Sequence, residues 1–330
     1  MNDRTLAAAI RRRWDSPPPL LLRLPARVFG AVVRLRRTLY RLGWLRSRRA
    51  GVPVIVVGNL VAGGAGKTPL VAVLAQELRR RGLRPGVVSR GYRRGTRGAH
   101  RVGPGDKAAA VGDEPRLFAD LGLPVAVAAR RIEAARLLSD RCDVLLADDG
   151  LQHYALARDL EIAVVDGVRR FGNGWLLPAG PLREPCSRLE EVDFVVCNGG
   201  RPQPGEVTMA LEPGDARSLA EPGHSVPLAR WEGAQVDAVA GIADPERFFA
   251  SLRARGLDVC AHAFPDHHPY RLEDFGFAGE RPLLMTSKDA VKCRAFARPG
   301  WFEVPVQAMV PPEFLDAVHA RVLLARGAEQ

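Results

Sequence analysis

A glycine-rich stretch between residues 58 and 68 contains the residue types that bind phosphate groups. It reads GNLVAGGAGKT, follows the apolar run Val54–Val57 and precedes a helical pattern. Glycines let the backbone approach phosphate oxygens closely, and the N-terminus of the following helix adds positive charge. Lys67 would neutralise the terminal phosphates of a nucleotide, and Thr68 would offer its hydroxyl to Mg²⁺.

This stretch departs at one position from the phosphate-loop pattern GxxxxGK[ST], because Val61 stands where the first glycine is usual. The second half, GGxGKT, is intact. Lys67 is also one of only four lysines among the 48 basic residues of the chain. A plain glycine-rich turn is the alternative interpretation. We predict that the nucleotide-binding residues are Gly63, Gly64, Ala65, Gly66, Lys67 and Thr68.

A phosphate loop needs an acidic group at the end of a neighbouring strand to hold Mg²⁺ or its water. Asp148 and Asp149 directly follow the apolar run Val144–Ala147 and meet this need. A strand-end turn stabilised by aspartates is the alternative. Asp148 is our first candidate for the metal, and Asp149 is a close second.

Phosphoryl transfer to an alcohol also needs a carboxylate that accepts the hydroxyl proton. Asp113 lies in the sequence GDEP, which opens a helical pattern, so it is either this base or a simple helix cap. His267, in the sequence DHH, could orient a carboxylate across a cleft or be an ordinary solvated histidine.

Short β-branched runs alternate with helical patterns after residue 50, which is the signature of a parallel sheet. The predicted strands are Val54–Val57, Gly86–Ser89, Val125–Ala128, Val144–Ala147, Ile162–Asp166 and Phe194–Cys197, followed by Val236–Ala240, Asp258–Ala261, Leu283–Thr286 and Phe302–Val306. A helix is predicted over Thr68–Arg81. The fold class is α/β, a P-loop NTPase-like parallel sheet with helices on both faces and a smaller second α/β domain. The predicted boundaries are 51–200 for the P-loop domain, 201–230 for a connector and 231–330 for the domain that closes the cleft.

Residues 1–50 carry the net charge of the chain. They contain 13 Arg and two Asp, a surplus of 13 − 2 = 11, which equals the formal charge of +11 of the whole chain. Val28, Val32, Leu35, Leu39 and Leu42 recur every three or four residues, so they share one face of an amphipathic helix. Arginines interrupt the apolar runs, so no segment is long enough to span a bilayer. This helix either lies in the headgroup region of a membrane or docks on its own protein.

The composition of the chain limits the classes of protein to which it can belong. With 47% hydrophobic residues, the chain is long and apolar enough for two packed domains. Its five cysteines show no CxxC pair, which predicts reduced thiols in the cytosol, and no secretory signal is visible. The Arg-rich start would suit a nucleic-acid-binding module, but aromatic residues are not interleaved with the charges. We therefore expect no nucleic-acid partner, and the sequence indicates no obligate protein partner.

Seven motifs together resemble the tetraacyldisaccharide 4'-kinase family of lipid A biosynthesis. They are GNLVAGGAGKTP at 58–69, SRGY at 89–92, GDEP at 112–115, DDGLQHY at 148–154, DGVRRFGNGWLLPAGPLRE at 166–184, DHH at 266–268 and TSKDAVKC at 286–293. The resemblance covers almost the whole chain, and the family also lacks the first phosphate-loop glycine.

The resemblance implies an enzyme on the cytosolic face of the bacterial inner membrane. It would use MgATP to phosphorylate the 4'-hydroxyl of an acylated disaccharide 1-phosphate lipid. Asp113 would be the general base with His267 as its partner, and Lys67 would serve catalysis as well as binding. Glu184 would join the acids near Mg²⁺. Four further motif residues are implied as substrate contacts: Arg90, Tyr92, Gln152 and His153.

The sequence TSKD at 286–289 is similar to the base-reading loop of P-loop GTPases. It makes Lys288 and Asp289 candidate nucleotide contacts, although Asp289 could instead cap the next helix or contact the ribose. Two other functions stay open from the residues: a P-loop GTPase or a metallocofactor-insertion ATPase, which would hydrolyse nucleotide without a lipid acceptor, and the nucleic-acid-binding module.

Overall fold

The structure of the chain is a computed structural model that describes residues 14–92 and 94–327. Its strands, numbered in chain order, are β1 (Val54–Gly58), β2 (Pro85–Ser89), β3 (His100–Arg101), β4 (Val125–Val127), β5 (Val144–Asp148), β6 (Leu160–Asp166), β7 (Phe194–Asn198), β8 (Val207–Pro213), β9 (Ala216–Ser218), β10 (Ser225–Val226), β11 (Gln235–Ala240), β12 (Asp258–Ala263), β13 (Leu283–Thr286), β14 (Trp301–Val304) and β15 (Val306–Met309). Each predicted strand is present, with ends shifted by one or two residues, except that the predicted run 302–306 divides into β14 and β15.

The helices cover both faces of the sheets, as predicted. They are α1 (Leu20–Arg41), α2 (Lys67–Arg80), α3 (Ala108–Val111), α4 (Asp113–Asp120), α5 (Arg131–Arg136), α6 (Pro245–Arg253), α7 (Ser287–Cys293) and α8 (Pro312–Gly327). Leu70 and Leu74 of α2 pack with Phe314 of α8 in the core on one face of the larger sheet. Ile132 of α5 belongs to the core on the other face.

The larger sheet has nine strands in the order β15-β8-β7-β6-β1-β5-β2-β4-β3, of which β3 and β15 pair antiparallel with their neighbours. The phosphate-loop strand β1 lies between β5 and β6, and both pair with it in parallel. Parallel strands end at the same edge of a sheet, so the loop after β1 and the acids after β5 emerge side by side.

The smaller sheet has the order β10-β9-β14-β13-β11-β12. The chain does not divide between the sheets at the predicted boundaries. The segment predicted as a connector, 201–230, contributes β8 to the larger sheet and β9 and β10 to the smaller one. After β14 the chain returns to the larger sheet through β15 and α8. Strand pairing between segments distant in sequence decides this arrangement.

Helix α1 packs against the rest of the protein through a few small or basic residues, and its apolar side chains are exposed. Ala26, Gly30 and Arg37 are buried, whereas Leu24, Val28, Val32 and Leu35 are each more than half exposed. Arg37 and Arg41 both pair with Glu191 at 2.5 Å. Pro25 lies inside the helix. Among residues 14–92 and 94–327, no helix combines the length and hydropathy needed to span a bilayer. Residues 1–13 of the predicted N-terminal segment lie outside the described residues.

Candidate active site

The phosphate loop joins β1 to the N-terminus of α2, as the sequence predicts. Gly66 precedes α2 with a φ of 92°, and a Cβ atom there would lie 2.5 Å from the Asn198 side-chain nitrogen, so only glycine fits. Asn198 Nδ2 donates to the Ala65 carbonyl at 3.0 Å. On the other side, the Ala62 N–H donates to the Pro181 carbonyl at 2.8 Å. Hydrogen bonds from β7 and from the segment that leads to Glu184 therefore fix the loop on two sides.

Lys67 lies in the first turn of α2 beside Asp149. Its Nζ is 3.4 Å from Asp149 Oδ1, and Arg183 Nη1 lies 3.1 Å from the same carboxylate. Burial would raise the pKa of Asp149, but Lys67 and Arg183 hold it at about 2. Asp149 is therefore ionised at neutral pH and fixed by two cations.

Asp148 is the last residue of β5, directly opposite Val57 of β1. It is buried, and its Oδ1 accepts no hydrogen bond from any described residue. Burial, reinforced by the charge of Glu114, raises the pKa of Asp148 to about 7. A buried carboxylate oxygen without a donor requires a compensating positive charge, and oxygen ligands of this kind suit Mg²⁺.

Glu184 is almost fully buried beside the phosphate loop. Gln152 Nε2 donates to Glu184 Oε2 and to the Asn59 carbonyl, each at 3.1 Å. The Tyr154 hydroxyl donates to Glu184 Oε1, and burial with the charge of Glu184 raises the pKa of Tyr154 to about 12. Tyr154 therefore remains a hydrogen-bond donor at any physiological pH and orients the Glu184 carboxylate.

Asp113, at the start of α4, forms a hydrogen bond with His267, which follows β12 of the smaller sheet. His267 Nδ1 donates to Asp113 Oδ2 at 2.9 Å, although the residues are 154 positions apart. Asp113 opens α4 and is buried, and Lys292 Nζ lies 3.6 Å from its carboxylate. The hydrogen bond to Asp113 raises the pKa of His267. The structure thus brings together the predicted base and its predicted partner.

Asp289, which the sequence predicts as a nucleotide contact, lies in the first turn of α7. It is fully buried, and its Oδ2 accepts from the Gly241 N–H at 2.9 Å and from Thr286 Oγ1 at 2.6 Å. These bonds join the start of α7 to the residue that follows β11. The helix cap is Thr286, whose side-chain oxygen accepts the Asp289 N–H at 3.3 Å. Lys288 pairs with Glu114 at 2.5 Å and places a cation next to Asp113.

The four residues predicted to contact substrate fall into two groups. Gln152 is engaged with Glu184, and His153 Nε2 accepts the Arg131 N–H at 3.1 Å. Burial lowers the pKa of His153 to about 4, so its imidazole is neutral. Arg90 and Tyr92 are exposed, and the Tyr92 ring centroid lies 5.4 Å from that of His267. Tyr92 is thus the one that lies beside the Asp113–His267 pair.

Sequence reasoning missed three cations of the site. Arg183 pairs with Asp149, and its position next to Glu184 in the PLRE stretch could have indicated it. Lys292 could have been found because it follows Lys288 by one helical turn. Arg131 is buried beside Asp148 and Asp149, and burial lowers its pKa to about 10. No motif signalled Arg131.

A cavity of about 370 Å³ lies next to the phosphate loop at the ends of β7, β8 and β15. It is lined by Cys197, Gly199, Gly200, Pro202, Thr208, Met209, Ala210, Met309, Val310 and Pro311. Met209 also approaches Gly66.

The fold and the site define a P-loop phosphotransferase: a phosphate loop, acids on the adjacent strand and a carboxylate–histidine pair. The sequence profile of the tetraacyldisaccharide-1-P 4'-kinase family matches residues 19–323. The chain therefore belongs to the tetraacyldisaccharide 4'-kinase family, and the resemblance stated from the motifs is confirmed.

Individual relatives agree with this assignment. A tetraacyldisaccharide 4'-kinase of Xanthomonas euvesicatoria pv. vesicatoria is 51% identical over 315 residues, which cover 91% of each chain. A second, from Methylobacillus flagellatus, is 49% identical over 319 residues, which cover 95% of each chain. The crystal structure of LpxK from Aquifex aeolicus in complex with ATP matches with a TM-score of 0.77 and 29% identity, covering 92% of this chain and 98% of that one. The predicted fold class is confirmed by this similarity.

The raised pKa of His267 predicts a pH-dependent contribution to stability. A protonated His267 paired with Asp113 stabilises the folded state fully below the unfolded pKa of 6.5, and this contribution is lost as pH rises through the raised folded pKa. We expect His267→Gln to lower the free energy of unfolding by about 1 kcal/mol more at pH 6 than at pH 9. Urea unfolding at both pH values measures this difference. The same substitution in an Asp113→Asn background should show no such pH dependence, and a pH-independent effect in the wild-type background would contradict the pairing.

Proposed function

We propose that this chain transfers the γ-phosphoryl group of ATP to the 4'-hydroxyl of tetraacyldisaccharide 1-phosphate, through the residues described above. One observation carries the assignment of the site. Asp148 is within electrostatic reach of Lys67 at the phosphate loop and of Glu114, the neighbour of Asp113. The nucleotide site and the carboxylate–histidine pair therefore border one cleft, which is the arrangement that a kinase needs.

The loop amides from Gly63 to Gly66 and the ammonium of Lys67 would hold the β- and γ-phosphates. Asp113 would accept the proton of the sugar hydroxyl as its oxygen attacks the γ-phosphorus in line with the leaving oxygen. The hydrogen bond from His267 and the nearby Lys292 ammonium hold the Asp113 carboxylate in its orientation. Since the transition state spreads charge over the phosphoryl oxygens, positioning and fixed charges lower the barrier, and no covalent intermediate is needed.

Thr68, Asp148, Asp149 and Glu184 are the residues that would hold Mg²⁺. The buried, donor-free Oδ1 of Asp148 supports this proposal, because a cation would satisfy it. When bound, Mg²⁺ neutralises negative charge on the phosphates. Arg183 and Lys67 restrain Asp149 meanwhile, and Gln152 and Tyr154 orient Glu184.

Tyr154 provides a test of the Glu184 assignment. Tyr154→Phe removes one hydrogen bond to Glu184 and keeps the aromatic ring in place. We expect the Mg²⁺ concentration for half-maximal turnover to rise roughly tenfold, the scale of losing an outer partner of a metal ligand, with KM for ATP nearly unchanged at saturating Mg²⁺. Tyr270→Phe is the matched control, since Tyr270 is a buried tyrosine of the smaller sheet's core. An unchanged Mg²⁺ dependence in Tyr154→Phe would remove Glu184 from the metal site.

Helix α1 would bring the enzyme to the cytosolic surface of the inner membrane, where the lipid acceptor lies. Its exposed apolar side chains lie on the side opposite its buried ones, and it carries six arginines. An apolar strip with flanking arginines is the composition of a helix that lies in the headgroup region of an anionic membrane. Exposed Tyr92, beside His267, and exposed Arg90 would contact the disaccharide headgroup of the same lipid.

If α1 binds a membrane, negative charges placed on its exposed apolar side should weaken that binding. The double substitution Val28→Glu and Leu35→Glu is expected to weaken binding to vesicles of anionic phospholipid by at least about tenfold, because burying each apolar side chain contributes about 1.5–3 kcal/mol. Sedimentation with vesicles measures the binding. Activity on detergent-dispersed lipid should stay near wild type.

The matched control places the same change on another exposed apolar pair. Leu323→Glu and Leu324→Glu change two exposed residues of α8, a helix whose buried side packs on the larger sheet. This variant should bind vesicles as the wild type does. If both double variants bind equally well, α1 is only a structural helix.

The activity itself is tested by incubating the protein with labelled ATP and acylated disaccharide 1-phosphate and asking whether label enters the lipid. Label in the lipid supports the proposed kinase. Nucleotide hydrolysis with no labelled lipid would favour the NTPase alternative. Strongly salt-dependent binding of DNA or RNA, with neither reaction, would favour the nucleic-acid-binding module.

A further inference from the structure

Three potential metal ligands lie on one face at the edge of the smaller sheet. Asp237 of β11 is directly opposite Cys260 of β12 in the parallel register, and β12 is an edge strand. His262 follows Cys260 by two residues, so both side chains point to the same face. The carboxylate oxygen of Asp237, the Cys260 sulfur and a ring nitrogen of His262 all lie within 4.8 Å of one another.

One oxygen of the Asp237 carboxylate faces His262, and a different group holds the other oxygen. Asp237 is fully buried, and its Oδ1 accepts from His262 Nε2 at 2.8 Å. Its Oδ2 accepts no hydrogen bond, but Arg281 Nε lies 3.0 Å away as an ion-pair partner. Arg281 in turn donates to the Gln235 side chain at 2.7 Å. A second group therefore fixes the carboxylate while Oδ1 faces the imidazole and the thiol.

The imidazole is also fixed in orientation. The His262 ring stacks on the Phe277 ring at a centroid distance of 3.5 Å and an angle of 10°. Stacking defines the ring plane, so Nε2 remains directed at Asp237. Cys260 is half-buried on the edge strand, which provides a path from solvent to the sulfur.

We propose that Asp237, Cys260 and His262 form a binding site for Zn²⁺ or a similar thiophilic divalent cation. One thiolate, one imidazole nitrogen and one carboxylate oxygen are a donor set that suits zinc and does not suit Mg²⁺, and three protein ligands leave a fourth position for water. The thiolate and the carboxylate balance the charge of the cation. Arg281, on the other carboxylate oxygen, has the position of an outer partner that orients a metal ligand.

Binding requires only proton movements that solvent can accept. The Cys260 thiol loses its proton to solvent, and the imidazole binds the cation through Nε2 while its proton resides on Nδ1. The hydrogen bond between His262 and Asp237 is replaced by two bonds to the cation. Affinity should therefore rise with pH as the thiol ionises. The site is separate from the kinase cleft and does not depend on the proposed function.

Cobalt provides a direct test, because a thiolate ligand gives Co²⁺ a charge-transfer absorption band in the near ultraviolet. We expect the full-length protein, freed of metal by a chelator and kept in excess Mg²⁺, to bind one Co²⁺ per chain with this band. One equivalent of Zn²⁺ should abolish it. Cys260→Ser should lack the band, and His262→Gln should bind at least about tenfold more weakly. The matched control Cys186→Ser, a half-buried cysteine of the larger sheet's core, should retain the band and the affinity.

Kinase activity separates loss of the site from loss of the fold. Cys260→Ser should phosphorylate the lipid acceptor at the wild-type rate, since Cys260 contacts no residue of the cleft described above. A band that persists in Cys260→Ser, or wild-type protein without stoichiometric Co²⁺ and Zn²⁺ binding, would overturn the proposal.

Discussion

Asp113→Ala is expected to lower kcat by roughly 10² or more while the affinity for ATP stays close to that of the wild type. Asp113 is the carboxylate that would accept the sugar proton, and general-base catalysis has this scale. Its carboxylate bonds to His267 and lies near Lys292, not Lys67, so its removal should leave the phosphate loop intact. Steady-state kinetics with varied ATP, together with direct ATP binding, measures the two effects separately.

A second carboxylate–histidine pair in the same protein provides the control. His268 Nε2 donates to Asp274 at 2.9 Å, the same distance as in the His267–Asp113 pair. Asp274→Ala removes a carboxylate–histidine pair of equal length that lies within the smaller domain, and this variant should keep wild-type turnover. If Asp113→Ala also turns over normally, Asp113 is not the base and its bond to His267 only holds the two sheets together.

Lys67→Ala is expected to reduce kcat/KM by roughly 10²–10³, the scale of removing one charged donor from a transition state. The Lys67 side chain is 11% exposed and pairs with Asp149, so its charge acts in a partly desolvated site. Arg183 remains beside Asp149 in this variant, which should limit the damage to the fold. Both KM for ATP and kcat should change, in contrast to Asp113→Ala.

Lys107 is the matched control for Lys67. It is an exposed lysine outside the cleft, and Lys107→Ala removes the same charge from the surface. Its kinetics should be those of the wild type. A Lys67→Ala protein that binds and uses ATP normally would show that the nucleotide does not occupy the phosphate loop.

The two predictions probe opposite sides of the cleft. A loss at Lys67 with normal turnover at Asp113 would indicate nucleotide hydrolysis without proton transfer from a sugar. Loss at both positions, with altered ATP affinity only at Lys67, is the pattern expected of phosphoryl transfer to an alcohol.

The strands and the first helix were predictable because their signals are local. Apolar runs of four residues match β1, β5 and β13 to within one residue, and α2 starts where the phosphate loop ends. The path of the chain between the sheets was not predictable. β8 and β15 pair with each other although about a hundred residues separate them, and β9 and β10 lie in the other sheet. Such pairing depends on which exposed edges the folded cores leave, and no local pattern records it.

The candidate site shows the same division between local and distant contacts. Asp148 and Asp149 were predictable from their position after an apolar strand, because parallel strands that run side by side end at the same edge of a sheet. The hydrogen bond from Tyr154 to Glu184 was not predictable, because the two residues are 30 positions apart and only folding places them side by side. The hydrogen bond from the Gly241 N–H to Asp289 was not predictable either, because 48 positions separate the two residues.

By itself the sequence determined the chemistry available to this protein: a phosphate loop, strand-end acids, an acid that opens a helix and an amphipathic basic helix. Each of these is a run of neighbouring residues whose spacing forces the geometry. Only the tertiary structure decided which groups act together. It brought His267 to Asp113, turned the apolar side of α1 outward and joined Asp237, Cys260 and His262, because contacts between distant segments arise from packing of the whole chain.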